Sequence, residues 1–245
     1  MILSDETLDD LTVGGLKILQ AKSGYRFSID PVLLCAFIPS IENARVVDLG
    51  TGNGIVPLLL SARKEARSIT GLELQEQMVA RARRSVQLND LEGSVQIVQG
   101  DIRALPAELS PGKYDIVTSN PPYRAKTTGR VAPDDERGIA RHELFGGLED
   151  FLHAAALLLK DGGRFYAVYL AERLAGLLSA MCSSGLEPKR MRLVHSREGE
   201  PARMVLVEGR KNGKPGMSVE ASLIVYKGKG RDYTPEVLAM YGGGK

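Results

Sequence analysis

The sequence predicts an α/β protein with a doubly wound, mostly parallel sheet, and three observations support this fold class. Between residues 45 and 184, short apolar runs alternate with amphipathic stretches, which is the order expected of strands joined by helices. Beyond residue 185 the pattern becomes β-like, with turn residues at Gly199 and Asn212-Gly213, and this indicates an antiparallel edge. The chain has 245 residues, 43% hydrophobic and 25% charged, enough to bury one sizeable core.

The N-terminal segment predicts a short hairpin and helix in front of the sheet. Residues 11–27 alternate weakly around Gly14-Gly15 and Ser23-Gly24, which indicates the hairpin. Asp30-Pro31 combines an N-cap residue with a proline at the first helical position, so a helix is predicted from there through residue 37.

The remaining elements follow in order along the core. Strands are predicted at 45–50, 68–74, 95–100, 114–119, 164–170, 191–195, 204–208 and 218–226. Helices are predicted at 55–66, 76–89, 148–160 and 172–184, the third of them closed by Asp161-Gly162-Gly163. Because neither repeats nor low-complexity linkers interrupt this pattern, we expect one domain, with an N-terminal extension at 1–43 and a core at 44–245 that includes a basic C-terminal β part.

Composition argues against several classes of protein. No apolar run approaches the ~20 residues that span a bilayer, and the acidic N-terminus lacks a signal-peptide pattern. A cytoplasmic location without membrane contact is therefore expected. Cys35 and Cys182 lie far apart in apolar stretches and are expected to be reduced core residues. The three histidines are scattered without a Cys or His partner at metal-ligand spacing, so no metal site is expected.

The charge is unevenly distributed along the chain. Residues 186–245 hold 12 Lys/Arg and 7 Asp/Glu, a net charge of +5, whereas the remainder sums to −3. A basic C-terminal quarter on a neutral body is typical of a protein that contacts a polyanion. A merely solvated basic surface explains the distribution about as well.

The first strand ends in a glycine-rich turn. Residues 48–54 read DLGTGNG, and glycines at alternate positions allow the backbone to turn tightly and to pass close to a ligand ahead of a helix. Position 55 is isoleucine, so the third glycine of the dinucleotide fingerprint is absent and a pyrophosphate site is disfavoured. Asp48 would repel phosphate but would attract an ammonium group.

The next two strand ends also present acidic residues. Glu73, followed by Leu74, ends the second strand about 20 residues on, where a carboxylate reaches ribose hydroxyls. Asp101 follows the third strand and can accept from an adenine amino group, while Ile102 covers the ring. Each residue alone would more often be structural. Together they describe a ligand with a cationic amino-acid end, a ribose and an adenine but no phosphate, which is S-adenosylmethionine.

The tetrapeptide Asn120-Pro121-Pro122-Tyr123 follows the fourth strand. The amide oxygen of Asn120 and the carbonyl oxygen of Pro121 can both accept from amino hydrogens, and Tyr123 can lie against a ring. The tetrapeptide therefore predicts a site for an exocyclic amino group on a flat conjugated system. An ordinary Pro-Pro turn after a strand is the alternative.

These motifs resemble those of class I S-adenosylmethionine-dependent methyltransferases along nearly the whole chain. Asn-Pro-Pro-Tyr is shared by enzymes of that class that methylate amino nitrogens of adenine, cytosine, guanine or glutamine. Four outer segments are similar to bacterial tRNA adenine-N6 methyltransferases that modify the purine beside the anticodon of a valine tRNA: QAKSGYRFSIDPVLLCA at 20–36, ARHE at 140–143, ARMVLVEGRKNG at 202–213 and DYTPE at 232–236.

The resemblance implies a seven-stranded class I methyltransferase (Rossmann-like) sheet, S-adenosylmethionine as cofactor with S-adenosylhomocysteine as product, and a tRNA as partner without an obligate protein partner. The implied cofactor-binding residues are Asp48, Gly50, Thr51, Gly52, Glu73, Leu74, Asp101, Ile102 and Asn120. The implied target-base residues, which would act in catalysis, are Asn120, Pro121 and Tyr123.

Two basic segments are candidates for contact with nucleic acid. Residues 124–143 are predicted to form a flap over the base, with Lys126, Arg130 and Arg141 as phosphate candidates. A larger basic field is formed by Arg210, Lys211, Lys214, Lys227, Lys229 and Arg231. Three other functions stay open: an N5-glutamine methyltransferase of a protein, an rRNA amino-methyltransferase, and an RNA-binding module without catalysis.

Overall fold

The computed structural model describes residues 2–22, 28–63, 65–121 and 146–242. The strands are β1 (Glu6–Asp10), β2 (Lys17–Ala21), β3 (Arg45–Leu49), β4 (Ser68–Glu73), β5 (Val95–Gln99), β6 (Tyr114–Ser119), β7 (Leu159–Leu170), β8 (Leu186–His195), β9 (Ala202–Lys211), β10 (Ser218–Val219) and β11 (Leu223–Ile224). The helices are α1 (Asp30–Phe37), α2 (Ile55–Ser61), α3 (Glu76–Leu88), α4 (Leu148–Leu158), α5 (Leu174–Ser183) and α6 (Pro235–Met240), and a 3-10 turn spans Ala171–Arg173.

A twisted central sheet organises the chain. Its strands lie in the order β10-β8-β9-β7-β6-β3-β4-β5, and β11 also pairs with β8. Strands β3 to β7 run parallel, whereas β9 is antiparallel to both β7 and β8. Seven of these strands have five or more residues. The predicted doubly wound, mostly parallel sheet with an antiparallel edge is therefore confirmed, and so is the seven-stranded class I arrangement.

Helices cover both faces of this sheet. Helices α1, α2 and α3 pack on one face in a buried cluster that includes Val46, and α4 and α5 pack on the other face in a cluster that includes Val47. Neighbouring residues of one strand point to opposite faces. Apolar side chains are therefore needed at both positions, which is why the parallel strands read as continuous apolar runs.

The predicted hairpin is present, but its strands are shifted. β1 and β2 pair antiparallel, and residues 11–16 form the turn, with Gly14 and Gly15 at φ +62° and +68°. The hairpin predicted at residues 11–27 therefore begins within the turn of the observed hairpin, and residues 23–27 lie outside the described residues. Helix α1 begins at Asp30 itself, with Ile29 at the N-cap, so the prediction of Asp30 as the capping residue was wrong.

Two helices are shorter than predicted. α2 ends at Ser61 rather than at residue 66. Just beyond this end, the Arg63 guanidinium donates to the carbonyl oxygens of Ile38 and Pro39. α4 ends at Leu158 because Leu159 already pairs with Tyr114 of β6. The turn expected at 161–163 is instead part of an irregularity within β7.

The C-terminal segment differs most from its prediction. The single strand predicted at 218–226 is two short strands, β10 and β11, and both run parallel to β8. Helix α6 was not predicted, although Thr234 is its N-cap and its hydroxyl accepts from the Val237 N–H at 3.5 Å. Cys35 is buried as expected, and burial raises the pKa of its thiol, whereas Cys182 is exposed, so its placement in the core was wrong.

No helix among the residues described combines the length and the apolar character that a bilayer crossing requires.

Candidate functional site

The carboxyl ends of four neighbouring strands meet at one edge of the sheet. β5, β4, β3 and β6 are adjacent and parallel, so the residues that follow them share that edge. The structure therefore brings together the predicted glycine turn, Glu73, Asp101 and Asn120.

The glycine turn has a backbone shape that other residues resist. Gly50, Gly52 and Gly54 have φ angles of +68°, +58° and +82°, in the left-handed region that glycine adopts without strain. A Cβ on Gly50 would also lie 3.0 Å from the Phe151 ring. The Thr51 N–H donates to the Leu72 carbonyl oxygen at 3.0 Å, which fixes the turn against β4.

Asp48 lies beneath this turn. Its exposed fraction is 2%, and the Thr118 hydroxyl donates to Oδ1 at 2.7 Å. Burial raises the pKa of the carboxyl to about 7. The Thr118 and Thr51 hydroxyls oppose this increase, and the nearby charge of Glu73 adds to it. Asp48 therefore changes protonation near neutral pH, and a cation placed close to it would favour the ionised form.

Glu73 joins the two strand ends. Its Oε2 accepts from the Gly52 N–H and its Oε1 accepts from the Gln75 N–H, both at 2.9 Å. The side chain is buried, yet each oxygen has a further lone pair for a hydroxyl group of a ligand. Leu74, next along the chain, is half-buried at the same edge.

Asp101 has a partner that the sequence did not suggest. The Arg103 guanidinium binds both of its oxygens, with Nη2 to Oδ2 at 2.6 Å, and the Arg103 N–H donates to Oδ1 at 2.8 Å. These bonds to Arg103 lower the pKa of the Asp101 carboxyl below its usual value. Ile102 beside it is buried, and a Cβ on Gly146 would approach its side chain to 2.9 Å.

The Thr51 hydroxyl provides a test of whether a polar ligand fits here. Its oxygen is buried and lies close enough to the Asp48 carboxyl to lower the pKa of that group, yet it makes no hydrogen bond of normal geometry within the part of the chain that is described. Buried polar groups usually have partners. The backbone at Gly50 is exposed directly beside it. Together with the carboxylate of Glu73, these features fit the amino-acid and ribose portions of S-adenosylmethionine.

The acceptor side of the site is described only in part. Asn120 is half-buried and Pro121 buried, immediately after Ser119, whose hydroxyl donates to the Leu49 carbonyl oxygen at 3.1 Å. That bond joins the ends of β6 and β3. Tyr123 lies outside the described residues, as do Pro122, the predicted flap and its three phosphate candidates.

An ion-pair cluster that sequence reasoning missed connects the N-terminal hairpin with the glycine turn. Glu6 of β1 is buried, and its carboxylate binds Arg84 and Arg81 of α3, with Arg84 Nη1 to Oε2 at 2.7 Å and Arg81 Nε to Oε1 at 3.1 Å. Arg81 also donates to Asn53 Oδ1 at 3.1 Å. The bonds to Arg84 are the main cause that lowers the pKa of Glu6 to about 2. Residues so far apart in sequence gave no signal of this contact.

The predicted basic field divides between the two ends of the sheet. β9 runs antiparallel to β7, so Arg210 and Lys211 lie at the end opposite the candidate site, and Lys214 follows them there. Lys211 donates to the Leu159 carbonyl oxygen at 2.7 Å, so its ammonium group has a structural partner. Residues 227–231 follow β11 instead, whose register with the end of β8 places them at the candidate-site end.

A separate cleft of about 680 Å³ lies at the amino ends of β3 to β6, away from these residues. Its charged lining residues are Arg45, Arg67, Glu92, Glu108 and Lys113. The site built from strand ends is therefore distinct from this cleft. Among the described residues, no group of three or more His, Cys, Asp or Glu side chains could hold a metal ion.

The family model of the methyltransferase small domain matches residues 28–176 of this chain. A relative from Bacteroides fragilis (strain YCH46), a tRNA1(Val) (adenine(37)-N6)-methyltransferase, is 31% identical over 186 residues, which cover 76% of this chain and 77% of the relative. A protein of the same name from Tolumonas auensis is 28% identical over 90% of both chains.

Two solved structures illustrate the similarity of fold. A predicted O-methyltransferase, protein Atu636 from Agrobacterium tumefaciens, aligns with a TM-score of 0.70 at 23% identity, over 87% of this chain and 96% of that one. The M. jannaschii tRNA m1G37 methyltransferase aligns with a TM-score of 0.60 at 15% identity, over 86% of this chain and 58% of that one. At such identities the similarity shows the fold alone.

Proposed function

Because this chain belongs to the methyltransferase small domain family and, within it, to the tRNA1(Val) (adenine(37)-N6)-methyltransferases, we propose that it methylates the N6 amino group of an adenine in tRNA. The adenine lies beside the anticodon in this proposal. The observation that supports it most is the shared edge where Asp48, Glu73 and Asp101 precede Asn120 and Pro121 on adjacent strands. Because tRNA is the substrate, we place the protein in the cytoplasm.

The first three strand ends hold the methyl donor. S-adenosylmethionine supplies an electrophilic methyl group on a sulfonium sulfur. In the proposal, Gly50, Thr51 and Gly52 lie against its methionine portion, where the exposed backbone and the Thr51 hydroxyl offer polar contacts. The negative charge of the ionised Asp48 attracts the amino group of the methionine portion. The residues proposed for the ribose and the adenine are Glu73, Leu74, Asp101 and Ile102.

Asn120 and Pro121 activate the acceptor nitrogen. An adenine amino group is a poor nucleophile because its lone pair is delocalised into the ring. Two acceptor oxygens, the side-chain amide of Asn120 and the backbone carbonyl of Pro121, draw the amino hydrogens out of the ring plane and localise the lone pair on nitrogen. Fixed acceptors of this kind act without reorganisation during the reaction. We assign Tyr123 the role of stacking on the base, a contact that contributes about 1–3 kcal/mol in single-stranded nucleic-acid complexes.

A glutamine side chain in a protein is the competing methyl acceptor, because its amide also carries an NH2 group on a planar conjugated system. The similarity to relatives named for a tRNA substrate favours adenine over glutamine. The test is incubation of the protein with methyl-labelled S-adenosylmethionine and, separately, bulk tRNA, ribosomal RNA or a glutamine-bearing release factor. We expect label in tRNA. Label confined to ribosomal RNA or to the protein would overturn the proposed substrate.

A further inference from the structure

Residues 227–231, with the sequence KGKGR, form a basic loop between β11 and α6. Lys227, Lys229 and Arg231 are all exposed. Within the described part of the chain, none of their side chains has a hydrogen bond or an ion pair. Arg190 of the same C-terminal segment, by contrast, binds Glu208 at 2.9 Å and Glu220 at 2.9 Å. The loop therefore presents three unpaired positive charges.

The loop is closed at its base by backbone contacts. Tyr226 and Tyr233 form an antiparallel bridge on either side of it, and the Lys227 N–H donates to the Asp232 carbonyl oxygen at 2.8 Å. Arg197 Nη2 donates to the carbonyl oxygens of Lys229 and Gly230, at 3.4 and 2.9 Å. These bonds fix the backbone while leaving the lysine and arginine side chains in solvent.

Three stacked aromatic rings support the backbone at which the 227–231 loop begins and ends. Tyr226 stacks on Tyr233 with centroids 5.5 Å apart, and Tyr233 stacks on Tyr241 at 5.7 Å. The Arg197 guanidinium lies 5.5 Å from the Tyr226 centroid, within the usual range of a cation–π contact. A flexible basic segment would lose entropy on binding, and a loop held in this way loses less.

The loop lies at the same end of the sheet as Asn120. The Val225 and Tyr226 N–H groups donate to the carbonyl oxygens of His195 and Ser196, where β8 ends, each at 2.9 Å. β11 lies on the outer side of β8, four strands from β6 in the sheet. At about 4.8 Å per strand, the separation along the sheet is roughly 19 Å. This distance corresponds to a few nucleotides of extended RNA.

We propose that the loop at 227–231 is a built contact for the RNA phosphate backbone, a few nucleotides from the methylated base. The inference rests on the proposed function, since it takes the tRNA of that function as the partner. The neighbouring acids do not cancel the charge: Glu200 faces Arg197 at 3.5 Å, and Glu198 and Asp232 leave the local balance positive. Arg210 and Lys214, at the opposite end of the sheet, do not share this role.

The experiment compares two variants that each remove two positive charges. K227Q/K229Q changes the loop, and R210Q/K214Q is the matched control from the opposite end of the sheet. Binding of fluorescently labelled tRNA and the KM for tRNA are measured against salt concentration, together with kcat and the affinity for S-adenosylmethionine. We expect K227Q/K229Q to weaken tRNA binding roughly ten-fold at 0.1 M salt and to lower the salt slope by about 1–2. Its kcat and cofactor affinity should stay unchanged, and the control should resemble the wild type.

The outcomes separate this inference from the proposed function. If the wild type methylates tRNA and both double variants bind tRNA equally well, the loop proposal is wrong and the function stands. If the wild type binds tRNA through the loop but transfers no methyl group to it, the loop contact stands and the proposed function is wrong. A further variant, R197M, leaves the loop charges in place. R197M should weaken tRNA binding but lower the salt slope less than K227Q/K229Q does. An unchanged affinity for tRNA would contradict the role of Arg197 in holding the loop backbone.

Discussion

The Glu73 carboxylate and the Gly52 backbone N–H form a 2.9 Å hydrogen bond that ties the end of β4 to the glycine turn after β3. The second oxygen of the same carboxylate accepts from the Gln75 N–H. Glu73 thus sets the shape of the turn at the same time as it offers lone pairs to a ligand. Shaping the turn and binding a ligand both require that each oxygen of Glu73 acts as a hydrogen-bond acceptor.

Glu73→Gln is therefore expected to be as damaging as a non-conservative change. The glutamine Nε2 donates, so one of the two backbone N–H groups would face another donor. We expect the KM for S-adenosylmethionine to rise by roughly ten-fold, which corresponds to about 1.4 kcal/mol. Steady-state kinetics with tRNA in excess provide the measurement. Glu76→Gln, an exposed change in the first turn of α3, is the control, and an equal effect of both variants would refute this role of Glu73.

Asp48 should make both stability and cofactor affinity depend on pH. The pKa of Asp48 is about 7 in the folded protein, whereas its ordinary value is 3.8. Between these two pH values, the ligand-free folded protein keeps a proton that the unfolded chain has released. This contribution to stability is present below pH 4 and is lost as the pH rises through 7. From pH 5 to 8, the wild type should lose about 3 kcal/mol of unfolding free energy relative to Asp48→Asn, in urea titrations.

Cofactor binding has the opposite pH dependence, because the ionised Asp48 attracts the amino group. The Kd for S-adenosylmethionine should fall between pH 6 and pH 8 in the wild type and stay flat in Asp48→Asn. Parallel pH profiles of the two proteins would show that Asp48 is not the titrating group.

Replacement of Gly71 should destabilise the protein for a steric reason. It lies in β4 beneath the glycine turn, and a Cβ there would lie 2.8 Å from Thr51 Cγ2 and 3.0 Å from Ile97 Cδ1. Gly71→Ala should cost about 1–3 kcal/mol of stability, as in other overpacked cores. The Thr51→Ser change removes Cγ2 and keeps the hydroxyl, so the double variant should recover part of the loss. Additive effects in this double-mutant cycle would exclude the Thr51 contact as the cause.

The ion pairs of Glu6 with Arg81 and Arg84 should stabilise the folded protein at neutral pH, where Glu6 is ionised. Glu6→Gln leaves Arg81 and Arg84 without their anion, and we expect it to cost about 2 kcal/mol at pH 7. Glu65→Gln is the matched control, since it breaks the exposed pair with Arg63 and should cost less than about 0.5 kcal/mol.

The difference between wild type and Glu6→Gln should narrow as the pH falls from 4.5 toward 2, the interval in which the folded and unfolded states of Glu6 differ in protonation. A difference that did not change over that interval would contradict the ion-pair account.

Local patterns predicted the fold well where the chain alternates between strand and helix. The bounds of β6 at 114–119 and the start of α3 at Glu76 follow directly from apolar periodicity. Periodicity could not locate the end of α4, because the pairing of Leu159 with Tyr114 is a tertiary contact. Nor could it show that 218–226 lies along β8, since that register is set by a neighbour far away in sequence.

The candidate site was predictable in its positions but not in its contacts. Strand ends in a parallel sheet identify which residues meet, so Asp48, Glu73 and Asp101 could be placed together from sequence. The burial of Asp48 and its bond to Thr118 depend on the packing of two strands 70 residues apart. The separation of the basic residues between two ends of the sheet follows from the direction of β9, and strand direction is not visible in composition.

Asn120→Ala should separate methyl transfer from cofactor binding. Loss of one fixed acceptor is expected to lower kcat by roughly 10²–10³, as for other preorganised polar contacts in active sites. The affinity for S-adenosylmethionine should change little. Single-turnover kinetics and direct binding to the variant supply the two values, and normal turnover would disprove the proposed role of Asn120.

The most direct test of the central claim is nucleoside analysis by mass spectrometry of tRNA treated with the protein and S-adenosylmethionine. We predict N6-methyladenosine in tRNA treated with the wild type and a strong reduction with Asn120→Ala. A methyl group on a different base, or on a ring nitrogen of adenine, would contradict the account.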